Sequence, residues 1–126
     1  ANKDLVFKKH FNHYIKQESA YSNKINLLEY KRPFFDMEKK SLDFNLDSFE
    51  DFLAEKRIKI ARVDLVMLVQ RVLKAIKNRG KVKVKENQYK SCVSWKIDNY
   101  HIDLEDLIVE GEYKEVVNTE SIDFEQ

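Results

Sequence analysis

An α+β domain with three or more helices and a small antiparallel sheet, a β-hairpin or three strands, is what this 126-residue sequence predicts, on three observations. Apolar side chains recur at intervals of three and four along residues 4–18, 48–56 and 64–79, the period of a helix with one buried face. Along 41–47 and again along 81–97 the alternation has a period of two, the signature of strands. The composition is 43% apolar and 36% charged, with only two glycines and one proline, which is too apolar for disorder. A chain of this length buries a core without staples, so one compact domain is expected, with a helical extension over 1–40, a core over 41–98 and an acidic segment over 99–126.

The elements follow in order. In DLVFKKHFNHYIKQE (4–18), Phe7, Phe11, Tyr14 and Ile15 share one face of a first helix. The stretch SNKINLLEYKRP (22–33) continues helically from a Ser22 cap, and Pro33 ends it by removing a donor and restricting Arg32. SLDFNLD (41–47) alternates strictly, placing Leu42, Phe44 and Leu46 on the buried side of a strand. Asp47 with Glu50 has capping-box spacing, and Phe49, Phe52 and Leu53 give the next helix its stripe. A break is expected across RIKIARV (57–63). Asp64 then caps a helix that runs to Arg79, with Val63 and Leu68 as a hydrophobic staple and Gly80 taking the left-handed conformation that closes it. Leu65, Leu68, Val69, Val72, Leu73 and Ile76 form its buried arc, and Met67, Gln70, Arg71, Lys74, Lys77 and Asn78 its polar one. A hairpin follows, with Val82, Val84, Val93, Trp95 and Ile97 on one face, lysines on the other, and ENQYK (86–90) as its loop. IDLEDLI (102–108) supplies a last helical turn or two.

The net charge of +1 conceals a division along the chain. Residues 1–55 carry 9 basic and 10 acidic side chains, residues 56–97 carry 13 basic against 2 acidic, and residues 98–126 carry 1 basic against 10 acidic. A basic block beside an acidic segment speaks of partners rather than of topology, because summed charge steers association without choosing a fold. The basic block expects the phosphates of double-stranded DNA. The acidic segment 99–126 is expected to fold back over that block as a DNA mimic, to bind a basic protein partner, or to extend freely into solvent.

The run RVLKAIKNRGKVKV (71–84) resembles the winged-helix family of helix-turn-helix domains: a second helix, a closing glycine and a basic β-hairpin as the wing. The resemblance covers 41–98 and rests on pattern rather than on an invariant motif. It implies a winged-helix-like fold and DNA binding in transcription or replication, and, through added helices, a homodimer. The linker 57–63 departs from the pattern, being longer than the usual three- or four-residue turn, and Ile58 stands where many such turns place glycine.

The residues expected to touch nucleic acid are Gln70, Arg71, Lys74, Lys77, Asn78 and Arg79 on the helix and Lys81, Lys83, Lys85 and Lys96 on the hairpin. Gln70, Arg71 and Asn78 are of the types that read base edges, although such residues are common on any polar face. The rival reading is a docking module of winged-helix type that selects a protein partner by charge. Enzymatic chemistry lacks a constellation. His10 and His13 stand three apart but have no third ligand in sequence range, and the E-x-K of Glu38–Lys40 lacks a suitably spaced acid. Gly80 and Gly111 cannot build a phosphate loop, and the single cysteine, Cys92, expected on the lysine-bearing face where cations favour its thiolate, has no catalytic companion. No cofactor is expected. No window is apolar enough to span a membrane, and ANKDLVFKKHF lacks the apolar run of a secretory signal, so an intracellular location, cytoplasmic or nucleoid-associated, is expected.

Overall fold

Phe7, Phe11, Tyr14 and Ile15 are all buried on one face of α1 (Asn2–Glu18), as their spacing requires. They belong to a computed structural model that describes residues 2–109; the expectations for the acidic run beyond residue 109 lie outside the described residues. After α1 come β1 (Ala20–Tyr21), α2 (Ile25–Tyr30), β2 (Phe34–Asp36), β3 (Ser41–Phe44), α3 (Leu46–Glu55), α4 (Arg62–Arg71), β4 (Ile76–Lys85), β5 (Gln88–Ile97), a 3-10 turn (Leu104–Asp106) and β6 (Leu107–Ile108).

Local chemistry sets most of the boundaries. The short α2 ends because Lys31 takes a left-handed conformation (φ 54°), two residues before the proline expected to stop it. The strand at Ser41 is shorter than its alternation promised. Asn45 leaves it to cap α3, its side-chain oxygen accepting from the Ser48 amide at 3.0 Å. Asp47, expected as the cap, instead accepts from Arg62 at 2.8 Å, and the same guanidinium reaches Glu50 at 2.7 Å. The break expected over 57–63 falls at residues 56–61: α4 begins at Arg62 with Ala61 as its N-cap, so Asp64 stands in the first turn rather than capping the helix.

The helix expected over 64–79 is a correction. α4 ends at Arg71, and the chain turns through Val72–Ala75 with Lys74 left-handed (φ 59°) and the Ala75 amide donating to the Val69 carbonyl at 3.1 Å. β4 then begins at Ile76. Residues 72–76 satisfy a helical apolar pattern, but Lys77, Arg79, Lys81, Lys83 and Lys85 already occupy every second position. The period of two therefore starts a full turn before Gly80. Gly80 lies in mid-strand opposite Cys92 and takes no left-handed conformation; a Cβ there would stand 3.3 Å from the Lys24 Nζ, the free end of a flexible side chain.

The expected small sheet is likewise corrected. Six strands run in the order β4-β5-β3-β2-β1-β6, with β1 parallel to both neighbours and the other three pairs antiparallel. The hairpin is one end of this sheet and not an appended wing, so the winged-helix fold does not describe the chain. β1, β2 and β6, two or three residues each, are too short to leave a periodic signal in sequence.

One sheet face carries α1, α3 and α4 over Phe35, Leu42, Phe44, Trp95 and Ile97. Here Phe11 meets Phe44 and Phe49 edge-on, with ring centroids 4.9 and 5.2 Å apart. The Tyr14 hydroxyl donates to Ser48 Oγ at 2.8 Å, and burial holds this phenol protonated far above its ordinary range. The reverse face carries α2, whose Leu27 packs on Val82 and Cys92 beside Phe34. Because both faces are covered, every residue of β3 is buried, including Ser41 and Asp43.

Candidate nucleic-acid interface

In an antiparallel pair, residues directly opposite each other point to the same side of the sheet. The β4–β5 register sets Lys77 opposite Trp95, Arg79 opposite Val93, Lys81 opposite Ser91 and Lys83 opposite Tyr89. Trp95 is buried beneath the helices, so all eight residues lie on the helix-covered face. That cover ends at Trp95. Val93 is 42% and Tyr89 58% exposed, and Lys77, Arg79, Lys81 and Lys83 are exposed as well. The outer part of the face thus carries one row of four cations beside a row of uncharged side chains. At about 3.4 Å per residue the cationic row is about 20 Å long.

The connection is tighter than the expected five-residue loop. Glu86 and Asn87 alone join the strands, Asn87 supplying the positive φ (61°) that such a turn demands, and a bulge between Lys83 and Lys85 adds local twist. None of the four cations forms an ion pair among the described residues, whose salt bridges use Lys16, Arg32, Arg62 and Arg71.

The other residues expected at the interface are distributed differently. Arg71 is already engaged, donating to Asp4 at 2.8 Å. This bond holds the Asp4 carboxyl below its ordinary range and raises Arg71, and it ties the C-terminal end of α4 to the first turn of α1. Lys74 is exposed in the turn before β4, off the row. Asn78 faces the reverse side and donates to the buried Asp43 at 3.3 Å, alongside Ser94 Oγ at 2.8 Å. Lys96 is on the reverse side too, opposite Asp43 of β3 and Ile76 of β4. Lys85 pairs with Gln88 beyond the bulge. The single apolar hairpin face expected from Val82, Val84, Val93, Trp95 and Ile97 is split, Val82 joining the α2 cluster while Trp95 and Ile97 join the main core. Cys92 follows Val82, not the lysine row. Burial is the main cause that pushes its thiol up, with Lys24 opposing and Asp43 adding, so the expected thiolate is not favoured.

Gln70 is exposed on α4 at the inner end of the row, where it and Lys77 enter a cleft of about 540 Å³. Val66, Val93 and Trp95 form apolar parts of its wall, and Asn45 stands at the α3 end. Arg62 and Asp47 also border the cleft but are bonded to each other. Sequence reasoning missed Val66, Arg62 and Tyr89. Alternation from Tyr89 through Ser91, Val93 and Trp95 would have found the last of these, whereas nothing in the α4 pattern marks the first two. Among the described residues no cluster of histidine, cysteine and carboxylate side chains is arranged to hold a metal ion, and no helix is long and apolar enough to cross a membrane.

No known protein family matches the chain, and neither a curated protein nor a solved structure is significantly similar to it.

Proposed function

We propose that this protein binds nucleic acid, with double-stranded DNA as the ligand, by laying the outer face of the β4–β5 ribbon along phosphates. The observation that carries the reading is the row Lys77, Arg79, Lys81 and Lys83: four cations on one side of a ribbon, with no carboxylate paired to them among the described residues. Cations left unpaired raise the local potential and concentrate anions along the row. A duplex major groove admits a two-stranded β-ribbon, and the uncharged row on β5 lets the ribbon approach without repulsion. Binding is led by phosphates; the row has no amide side chain to read a base pair. Lys74, Lys85 and Lys96 fall outside this contact, Arg71 and Asn78 are committed elsewhere, and Gln70 stands at its inner end. The reading places the protein inside the cell, in the cytoplasm or with the nucleoid, and needs no catalytic group.

Fluorescence anisotropy against a labelled duplex at several salt concentrations tests it. Each neutralised phosphate contributes a slope near −0.9 in log K against log salt, so four contacts give about −3 to −4. Lys81→Glu/Lys83→Glu should lower affinity at every duplex sequence and flatten the slope by about half. Binding that ignores salt and these reversals, or no binding to duplex, overturns the proposal in favour of a protein-docking role for the charge division.

A further inference from the structure

β4 is an end strand of the sheet, ten residues long, and its outer edge is open. Beyond the ladder with β5, no hydrogen bond reaches its backbone amides or carbonyls among the described residues. Such an edge is a template for a further strand, held by main-chain pairing. Side chains then decide which strand fits. One laid beside β4 sets half of its side chains next to Lys77, Arg79, Lys81 and Lys83, and the alternate half on the reverse face, where Ile76 is 65% exposed. Antiparallel pairing with the β4 of a second copy would bring two cationic rows together on one face, and like charges side by side are destabilising. The fitting strand instead alternates carboxylates with apolar residues.

The sequence beyond the described residues contains one within reach. Through the successive registers, Ile108, Tyr21, Phe34, Asp43, Lys96 and Ile76 stand in one row across the sheet. β6 runs opposite to β4, so the chain leaves β6 on the side of this row from which β4 enters. Five strand spacings, about 24 Å, separate Ile108 from Ile76. Residues 110–120 span up to about 36 Å when extended. They are followed by Ser121, Ile122, Asp123, Phe124 and Glu125, in which polar or acidic residues alternate with apolar ones. Residues 110–126 together hold six carboxylates against Lys114, a charge opposite to that of the row.

We propose that residues 121–125 dock on the open edge of β4 in the same molecule as an added parallel strand, with Asp123 and Glu125 beside the cationic row and Ile122 and Phe124 on the face that Ile76 shares. The docked strand neutralises part of the row and competes with phosphates for it. That competition rests on the nucleic-acid reading; the docking does not.

Hydrogen exchange of the full-length protein, followed residue by residue by NMR, tests the docking. The outward-pointing amides at the start of β4 should be protected, and to the same degree at every protein concentration. Ser121→Pro/Ile122→Pro removes a backbone donor from each side of the added strand and keeps every carboxylate. It should speed exchange of those amides about tenfold or more and leave the amides bonded to β5 unchanged. Because duplex meets only the open form, an edge closed in about nine molecules of ten makes this variant bind labelled duplex about tenfold tighter than the unchanged chain. Outward amides that exchange freely in the unchanged chain, or that the prolines leave as they were, overturn the docking and leave the ribbon reading standing. Protection that grows with protein concentration assigns the edge to a second copy and overturns it as well. Protection lost with duplex affinity unchanged overturns the competition, and the docking without duplex binding by either protein overturns the nucleic-acid reading alone.

Discussion

The aromatic core between α1, α3 and β3 and the outer half of the β4–β5 ribbon are built from opposite materials. In the first, Phe11 touches Phe44, Phe49, Tyr14 and Tyr100 with ring centroids between 4.9 and 6.3 Å apart. In the second, ten-residue strands carry cations and a tyrosine into solvent, and only the reverse face, through Val82 and Cys92, has a small core of its own. The core assembles residues distant in sequence and is closed to water. The ribbon depends on the backbone pairing of neighbours and leaves its side chains free. The difference teaches where stability and recognition are held in this chain: side chains that fix the fold are not those offered to a ligand.

Three measurements break or sharpen that contrast. Phe11→Ala should lose about 3–5 kcal/mol in urea unfolding, the range for a fully buried aromatic whose cavity only partly collapses. A loss below about 1 kcal/mol, an ordinary value for a substitution of no particular consequence, would mean that the aromatic cluster is not the centre of the fold. Tyr14→Phe should cost about 1 kcal/mol by removing the hydroxyl that donates to Ser48 while keeping the ring. The smallest effect belongs to the ribbon. Lys81→Glu/Lys83→Glu should shift thermal unfolding by no more than about 0.5 kcal/mol, as for exposed positions outside any network. A loss equal to that of Tyr14→Phe would show the row to be structural and would remove the contrast with the core.

The parts of the fold legible in the sequence are those where one periodic signal acts alone. α1 is an example, its four buried residues spaced three and four apart with nothing competing. The 72–76 stretch was illegible for the opposite reason: Val72, Leu73 and Ile76 extend a helical arc while the cations from Lys77 onward set a strand period, and tertiary packing of Val72 and Ala75 decides between them. Which side of the hairpin each lysine takes was likewise hidden. It depends on register, fixed by the Glu86–Asn87 turn and the bulge, and a displacement of one residue exchanges the two faces. The register puts Lys81 and Lys83 on one face and Lys96 on the other, a division that alternation alone does not show. The cleft was not legible at all, since Asn45, Val66, Gln70 and Trp95 come from three elements that only the tertiary fold brings together.

The sheet order has a further consequence, for how the chain reaches this state. β6 pairs with β1, setting Leu107 beside Ala20, so one margin of the sheet joins residues from nearly opposite ends of the described chain. Closing so long a loop gains two residues of ladder on each strand, the contacts of Lys16 with Asp103 and Asp106 and the packing of Leu107 on the main core, and its entropy is lost before any of these forms. The margin at β1–β6 is therefore a late arrival in folding, completed after the helices and the local β4–β5 pair have formed, and during synthesis it has to await a strand that leaves the ribosome long after its partner.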